Sequence, residues 1–288
     1  ALKRRLDEVA DIPGEFASLD GDWTEIKHVE MVNQNPIGKS SRSNPVTYVK
    51  AFDDIRQLFA EQPLAKQMGF TAQYFSFNAE GGRCETCKGT GIITVEMQFM
   101  ADLEIVCDSC HGKRFKSDVL DVKFAGKNIF DILNMTVTEA IDFFTKNNKV
   151  NIANKLKPLD DVGLGYIKLG QSSSTLSGGE NQRVKLAYFL SQEKCEQTLF
   201  IFDEPTTGLH LLDIKKLLKA FDALIQHGHS VIVIEHNLDV VKCADNIIDL
   251  GPEGGNKGGK LIFEGTPEDC IKCESSITGI YLKEKLIN

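Results

Sequence analysis

Residues 175–180 read Thr-Leu-Ser-Gly-Gly-Glu, and residues 200–205 read Phe-Ile-Phe-Asp-Glu-Pro. The first stretch predicts a helix that begins at Ser177, which pairs with Glu180 in a capping box. Its two glycines let backbone N–H groups approach a ligand closely, and a helix N-terminus favours phosphate. The second stretch predicts a strand that ends in two carboxylates, where an open α/β sheet places its ligand groups. Taken singly, each stretch also fits a plain capped helix or a strand before an acidic turn.

Strands and helices alternate on both sides of these two stretches. Short apolar runs predict strands at 28–32, 198–202, 230–234, 246–250 and 260–264. Helical spacing predicts helices over 48–62, from the capping box of Thr136 and Glu139 to about Phe144, and over 214–225. Apolar and polar side chains alternate over residues 93–99, which predicts a half-buried strand. This alternation of elements favours an α/β core with a largely parallel sheet.

The ends of two predicted strands carry the candidate catalytic groups. Asp203 can hold Mg²⁺, directly or through water, and Glu204 can orient and deprotonate an attacking water. His236 follows the strand at 230–234 and can hydrogen-bond a terminal phosphate, although a structural histidine fits this position too.

The composition is ordinary for a globular chain of 288 residues, with 42% hydrophobic and 26% charged residues. No apolar run approaches the ~20 residues of a membrane span, and no apolar signal core follows the N-terminus. We therefore expect a cytoplasmic protein without membrane contact. The net charge of −8 argues against attraction to nucleic acid over the whole surface, so DNA binding would require a local basic patch.

Six of the eight cysteines form Cys-x-x-Cys pairs, while Cys195 and Cys243 stand alone. Two of the pairs are separated by nineteen residues and suit one tetrahedral Zn²⁺ site; they are Cys84, Cys87, Cys107 and Cys110. Redox-active pairs fit less well, because such a pair normally opens a helix and glycines follow the pairs here. The third pair, Cys270 and Cys273, cannot close a four-ligand site alone, and we expect two reduced thiols.

A cluster of basic residues surrounds the two zinc-type pairs: Arg83, Lys88, Lys113, Arg114 and Lys116. Such side chains can bind DNA phosphates without reading the base sequence. The alternative is a solvated face that offsets the negative charge of four thiolates around Zn²⁺.

The order of the motifs resembles that of ATP-binding-cassette (ABC) ATPases. Their signature motif resembles residues 177–180, their Walker B motif resembles 200–204, and their switch histidine resembles His236. Residues 206–210 occupy the position of the D-loop, which contacts a second cassette in that family.

Further stretches narrow the resemblance to the second cassette of the UvrA family, and the similarity covers nearly the whole chain. They are residues 33–45, with Gln34 in the Q-loop position, and residues 161–171, 204–210 and 249–255. The sequence departs from the family at 39–41, where Lys-Ser-Ser replaces the usual Arg-Thr-Pro, and at Asn181, where alanine is usual. Neither departure is expected to touch the residues assigned to the chemistry.

The resemblance implies an ABC-ATPase-type α/β core with a zinc-binding insertion between the Q-loop and the signature. Residues 1–46 would carry the Q-loop part of the ATP-binding core, residues 47–190 the signature domain, and residues 191–288 the part with Walker B and the switch histidine. The implied catalytic residues are Glu204, Asp203, His236 and Gln34. The implied nucleotide-binding residues are Ser177, Gly178, Gly179 and Glu180.

The resemblance also implies the wider function. A UvrA-type protein is an ATPase subunit of nucleotide-excision repair that uses ATP, Mg²⁺ and Zn²⁺, binds damaged double-stranded DNA, and passes the lesion to UvrB. Each nucleotide lies between two cassettes, so the other cassette is an expected partner, and the full-length protein is expected to form a homodimer.

The 288 residues contain no Gly-x-x-x-x-Gly-Lys-[Ser/Thr] phosphate loop. Residues 33–40 end in Gly-Lys-Ser but begin with asparagine, and Pro36 removes one N–H group. Residues 254–260 contain both glycines and the lysine, but Leu261 replaces the hydroxyl residue and a strand is predicted to follow. In the family this loop lies shortly before the position of Ala1, so we expect a truncated cassette with no ATP turnover of its own.

Two other functions remain open on the sequence alone. A transporter-type ABC ATPase would share the nucleotide motifs but would need membrane partners. A zinc-ribbon module that binds nucleic acid or acts like a chaperone would account for the cysteines but not for Asp203, Glu204 and His236.

Overall fold

The computed structural model describes residues 1–6, 9–38, 43–95, 97, 102–192 and 196–287. Its strands are β1 His28–Val32, β2 Ile92–Val95, β3 Leu103–Val106, β4 Thr198–Asp203, β5 Ser230–Ile234, β6 Ile247–Gly251 and β7 Lys260–Gly265. The helices before the signature are α1 Leu2–Arg5, α2 Pro45–Tyr48, α3 Ala51–Ala60, α4 Pro63–Gln67, α5 Ser117–Asp121, α6 Ile129–Asn134, α7 Val137–Lys146 and α8 Val150–Asp161. The remaining helices are α9 Gly178–Leu190, α10 Leu211–Gln226, α11 Leu238–Val241, α12 Pro267–Cys270 and α13 Ile277–Ile287.

A parallel sheet with the strand order β1-β4-β5 forms the centre of the α/β core. Phe200 and Phe202 of β4 are fully buried on the face that packs toward the helices. Helix α10 buries Leu217, Phe221 and Leu224 against this face because its apolar residues recur at helical spacing. The parallel sheet and the order of its strands along the chain confirm the predicted α/β core.

The helical part lies between β1 and α9 in sequence and shares a continuous core with the sheet. The predicted helix over 48–62 is wrong at its start, because the structure forms two helices there. Helix α2 ends at Tyr48, and Lys50 adopts a left-handed φ of 58° before α3 begins. A left-handed residue cannot continue a right-handed helix. The capping box of Thr136 and Glu139 is confirmed at the start of α7.

Strands β2 and β3 form an antiparallel hairpin between the two cysteine pairs. The expectation of a half-buried strand over 93–99 is wrong for its described residues, since Ile93, Val95 and Met97 are each about 40% exposed. Leu103 and Ile105 on the opposing strand are exposed as well. The alternation of apolar and polar side chains along β2 therefore does not mark a buried face of the hairpin. Residues 96, 98 and 99 of this prediction lie outside the described residues.

The C-terminal lobe consists of the antiparallel pair β6 and β7 and helices α11 to α13. Ile247, Cys270 and Leu282 form its small buried core. Asp249 of β6 accepts hydrogen bonds from the Ser276 hydroxyl at 2.6 Å and the Thr278 hydroxyl at 3.0 Å, which fixes the start of α13. The prediction of a largely parallel sheet thus holds for the central strands and not for this pair.

Among the described residues, none of the helices is both long enough and apolar enough to cross a membrane.

Candidate nucleotide site and cysteine cluster

The ends of β4 and β5 bring Glu204 and His236 together. Asp203 and Ile234 are partners in the parallel register, and the Glu204 N–H donates to the Ile234 carbonyl at 2.9 Å. Glu204 takes a left-handed φ of 46°, an uncommon conformation for a residue other than glycine. This turn places Glu204 Oε1 3.2 Å from Nε2 of His236. A carboxylate and an imidazole at this distance can share and move a proton.

Glu235, which the sequence did not single out, braces these two strand ends. Its Oε1 accepts hydrogen bonds from the N–H of Thr206 at 2.9 Å and from the Thr206 hydroxyl at 2.5 Å. Its Oε2 accepts the N–H groups of His236 at 2.9 Å and Asn237 at 3.0 Å. One carboxylate therefore ties the segment in the D-loop position to the turn that carries His236. Its location directly before His236, at a strand end, is the signal that could have identified it.

The signature stretch opens helix α9 as expected. The Ser177 N–H donates to Glu180 Oε2 at 2.7 Å, and the Glu180 N–H donates to the Ser177 hydroxyl at 3.2 Å, so the capping box is confirmed. The hydroxyl of Tyr166 donates to the other oxygen of Glu180 at 2.5 Å. Burial, followed by this bond to Glu180, raises the pKa of Tyr166 to about 12. Arg183 lies in the same region, and its buried Nε and Nη1 atoms find no partner among the described residues.

Both signature glycines are close to other motifs. A Cβ atom on Gly178 would lie 2.6 Å from Oε1 of Gln34, and one on Gly179 would lie 2.9 Å from the carbonyl oxygen of Thr207. Only glycine therefore fits either position without displacing a neighbour. The structure therefore places the Gln34 side chain against Gly178, and the segment in the D-loop position against Gly179.

Asn181 corrects the expectation that departures from the family avoid the assigned chemistry. Its side chain is buried, and its Oδ1 accepts the N–H of Ile37 at 3.1 Å. Its amide nitrogen also donates to the carbonyl of Ser177 at 3.1 Å. It thus contacts a residue of the signature and the segment that follows Gln34. The other departure, at 39–41, lies outside the described residues.

The four cysteines of the zinc-type pairs converge into one buried cluster. Their sulfur atoms all lie within 4.8 Å of one another, with 3.9 Å between Cys84 and Cys107 and 3.6 Å between Cys87 and Cys110. Sulfurs bound tetrahedrally to Zn²⁺ lie about 3.8 Å apart, given Zn–S bonds of about 2.3 Å. The N–H of Gly91 donates to the Cys87 sulfur at 3.2 Å. The donor set and its spacing therefore fit one Zn²⁺ ion.

Protein contacts engage three of the five basic residues around this cluster. The guanidinium of Arg114 donates to the Gly170 carbonyl at 2.8 Å and stacks over Phe77, and burial lowers its pKa. Arg83, whose side chain is only 14% exposed, pairs with Glu80 at 3.4 Å. The Arg114 contact joins the insertion to the segment before the signature, whereas the Arg83 pair is local.

The three lysines of this cluster differ in how freely they face solvent. Lys116 pairs with Glu85 at 2.6 Å, and this hydrogen bond raises the pKa of Lys116. Lys88 and Lys113 are exposed, and they lie one residue after Cys87 and three residues after Cys110. The basic surface available to a phosphate therefore centres on Lys88 and Lys113.

The third cysteine pair stays apart from the cluster. Cys270 is buried, and its sulfur lies 3.5 Å from the Ser276 hydroxyl, while Cys273 is partly exposed beside Ser275. The described residues form no metal-type group of three or more ligands around them. Cys243 is exposed, and Cys195 lies outside the described residues.

The two phosphate-loop-like stretches do not gain support from the geometry. Within 254–260, residues Gly255–Lys257 form a 3-10 turn and β7 begins at Lys260, so a strand follows, as expected, where a phosphate loop requires a helix. Lys39 and Ser40 of the other stretch lie outside the described residues.

Comparison with known proteins extends these observations. The ABC transporter family model matches residues 88–207. The UvrABC system protein A of Clostridium perfringens is 52% identical over 285 residues, which is 99% of this chain and 30% of that protein. The protein of the same name from Rickettsia prowazekii is 54% identical over 287 residues, covering 100% of this chain and 30% of that protein. The chain belongs to the UvrA family. It spans about 30% of the length of these curated relatives.

A solved structure agrees with this family assignment. UvrA2 from Deinococcus radiodurans superposes with a TM-score of 0.85 at 43% identity, covering 93% of this chain and 32% of that protein. The UvrA-type arrangement of an ABC core and a cysteine-bearing insertion is therefore the fold of this chain.

Proposed function

We propose that this chain supplies half of the ATP-hydrolysing machinery of a DNA-damage recognition ATPase in nucleotide-excision repair. The contact between His236 and Glu204 at the ends of β5 and β4 is the observation that carries this proposal. Glu204 orients and deprotonates the attacking water, Asp203 holds Mg²⁺, and His236 contacts the terminal phosphate. Gln34 completes the polar groups around this nucleotide when it leaves its resting place against Gly178.

The signature stretch serves a second nucleotide, held by the other cassette. The N–H groups at the N-terminus of α9 and the dipole of this thirteen-residue helix favour a phosphate at Ser177, Gly178 and Gly179. Glu180 holds this turn in shape through its capping box and its bond with Tyr166. One cassette thus contributes to two nucleotide sites, and closure around ATP draws two cassettes together.

A phosphate loop from a segment outside these 288 residues completes the first site. Strand β5 is an edge of the described sheet, and Ile232 and Ile234 on its uncovered face are 47% and 49% exposed. Met31 lies in the same row, through the pairing of Met31 with Ile201 and of Ile201 with Ile232, and is 40% exposed. Parallel sheets are usually covered on both faces, so this face suits the strand and helix that flank a phosphate loop.

The cysteine cluster holds one structural Zn²⁺ ion, which supplies four metal–thiolate bonds that fix the insertion. Burial raises the pKa of the Cys110 thiol, because a thiolate without a cation is unfavourable in apolar surroundings. Four buried thiolates require a compensating cation. Lys88 and Lys113, next to the cluster, contact DNA phosphates, so that the protein responds to the shape and deformability of damaged double-stranded DNA.

In the complete protein, ATP-driven closure of the paired cassettes reshapes this DNA-binding surface and controls hand-over of the lesion to UvrB. We further propose that the complete protein acts as a homodimer in the cytoplasm. A transporter ATPase is the weaker alternative, because the insertion with its cysteine cluster has no role there. A chaperone-like zinc module leaves the contact between His236 and Glu204 unexplained.

A calorimetric titration with Mg-ATP tests whether this chain needs a phosphate loop and a second cassette to bind nucleotide. This chain alone is expected to bind nucleotide weakly or not at all at millimolar concentration, whereas a protein that joins it to a UvrA-type phosphate loop and second cassette binds and hydrolyses ATP. Tight one-to-one binding by the chain alone would place a phosphate site within these residues, and residues 254–260 would be the first to mutate. Absence of turnover in the joined protein would overturn the proposed function.

A further inference from the structure

Asn181 occupies a position between two functional segments. The side chain is 1% exposed, and its Oδ1 accepts the N–H of Ile37 at 3.1 Å. On the other side its Nδ2 lies 3.1–3.2 Å from three carbonyl oxygens, those of Ser173, Leu176 and Ser177. These residues belong to the segment 173–177 that leads into α9, which we call the signature turn. An asparagine amide offers two N–H groups and one acceptor oxygen, so both ends of this side chain are engaged.

The segment from Val32 to Ile37, which contains Gln34 and which we call the Gln34 segment, is also held at its other end by two side chains of α9. Nε2 of Gln182 donates to the Val32 carbonyl at 2.7 Å and to the Asp203 carbonyl at 3.2 Å. Nζ of Lys185 donates to the carbonyl and side-chain oxygens of Asn33 at 2.9 and 2.7 Å. These bonds anchor the segment where it leaves β1, before Gln34. Only Asn181, among these three side chains, also bonds to the signature turn.

The energetic consequence follows from burial. If the segment moved away from the signature turn, the half-buried Ile37 N–H and the buried Asn181 oxygen would both lose their partner. Leaving buried polar groups unsatisfied is costly, so the two segments favour moving together. Their contact at Gly178, where no Cβ would fit beside Gln34, reinforces this coupling.

We propose that Asn181 is a positioning residue that couples the Gln34 segment to the signature turn, and through them the two nucleotide sites that this cassette serves. The coupling between sites rests on the proposed function, in which Gln34 faces the nucleotide held by this cassette and the signature faces the nucleotide held by the other. A displacement of Gln34 on ATP binding is passed through Ile37 and Asn181 to the Ser177 turn. ATP at one site thereby alters the affinity of the other.

The link itself is tested on this chain without ATP. Amide hydrogen exchange is compared between the wild type and Asn181→Ala, with Asn154→Ala at an exposed position of α8 as the matched control. The Ile37 amide is expected to exchange about tenfold faster in Asn181→Ala and unchanged in the control. Equal exchange at Ile37 in all three proteins would overturn the inference whether or not the proposed function holds.

The coupling is tested in the protein that joins this chain to a phosphate loop and second cassette. Wild type is expected to show cooperative ATP dependence of hydrolysis, and Asn181→Ala a Hill coefficient close to one, with kcat at saturating ATP changed less than about threefold. A merely structural role would lower kcat or thermal stability and leave cooperativity intact. If Asn181→Ala does not fold, Asn181→Ser, whose shorter side chain does not span both segments, takes its place with the same expectation.

The outcomes separate the two proposals. Loss of hydrolysis in the wild-type joined protein counts against the proposed function alone. Hydrolysis with unchanged cooperativity in Asn181→Ala, or a wild type without cooperativity, overturns the coupling while the proposed function stands.

Discussion

Nε2 of His236 lies 3.2 Å from Oε1 of Glu204, although 31 residues lie between them in the sequence. The contact exists because β4 and β5 are parallel neighbours that end at the same edge of the sheet. The left-handed φ of Glu204 then directs its side chain toward His236. Backbone geometry thereby brings the proposed base and the proposed phosphate-contacting group together before any nucleotide binds.

We expect Glu204→Gln to reduce ATP turnover in the joined protein by about 10²–10⁴-fold, because the amide cannot accept the proton of the attacking water. Mg-ATP binding measured by calorimetry should remain within a few-fold of wild type. Asp245→Asn, on an exposed residue before β6, is the matched control and should hydrolyse ATP normally. Unchanged turnover in Glu204→Gln would remove this residue from the catalytic role.

Glu235→Gln should lower kcat by about tenfold with little change in KM, because a single amide oxygen cannot accept all four hydrogen bonds of the carboxylate. Glu235→Ala should lower it further, since both the Thr206 and the His236 sides lose their partner. Steady-state ATPase kinetics measure the effects on kcat and KM separately. Glu264→Gln, at an exposed position of β7, serves as the control. A rise in KM with constant kcat would show that Glu235 acts on nucleotide binding instead.

Because four cysteine sulfurs converge in one cluster, we expect one Zn²⁺ ion per chain, which elemental analysis measures. Cys107→Ser should abolish stoichiometric metal and destabilise the insertion, since the cluster replaces a hydrophobic core there, while Cys273→Ser retains the metal. Chelation should release the ion with loss of the β2–β3 hairpin signals and persistence of the α/β core. A metal content near zero in the freshly purified wild type would refute the site.

Salt dependence measures DNA binding by the two exposed lysines. The double variant Lys88→Ala/Lys113→Ala should reduce the slope of log K against log salt concentration by roughly 0.9 for each phosphate of duplex DNA that these lysines neutralise in the wild type. The exposed pair Lys123 and Lys127, changed to alanine together, removes the same charge outside the cluster and should leave the slope intact. Equal slopes in all three proteins would place the DNA surface elsewhere.

A buried histidine predicts the pH dependence of stability. His229 is 8% exposed, and its Nδ1 accepts the Thr198 N–H at 3.2 Å, so the ring is neutral with its proton on Nε2. Burial lowers its pKa from 6.5. The unfolded chain therefore binds a proton near pH 6.5, whereas the folded chain binds it only at a lower pH. The free energy of unfolding is therefore highest above pH 6.5 and falls as the pH drops toward the pKa of the folded state.

Chemical denaturation at pH 5.5 and 7.5 measures this difference. His229→Phe should lower stability at both pH values while reducing the dependence on pH, because the group that titrates only on unfolding is gone. His227→Gln, at the exposed position directly after α10, removes only the smaller, charge-based contribution to the shift and should retain most of the dependence. A pH dependence as steep in His229→Phe as in wild type would assign it to other groups.

Much of the nucleotide core was predictable from local sequence. Short apolar runs identified β4 and β5, and the residue types of Ser177 and Glu180 identified the cap of α9, because these features depend on neighbours within a few positions. The break between α2 and α3 was not predictable, since the left-handed Lys50 has no distinctive residue type. The exposure of the β2–β3 hairpin was also missed, because alternation does not reveal whether anything covers a strand.

The sequence by itself determined the order of the motifs, the four cysteines, and the carboxylates that end β4, since each is a property of residue type and spacing. The tertiary structure alone decided that Glu235 joins the D-loop segment to His236 and that Asn181 joins Ile37 to the signature turn. It also decided that the Arg114 side chain is engaged by the Gly170 carbonyl and the Phe77 ring. Each of these interactions links residues that are distant in sequence or depends on what covers a side chain. Hydrogen-bond partners and burial of this kind are fixed only when the strands pair and the helices pack.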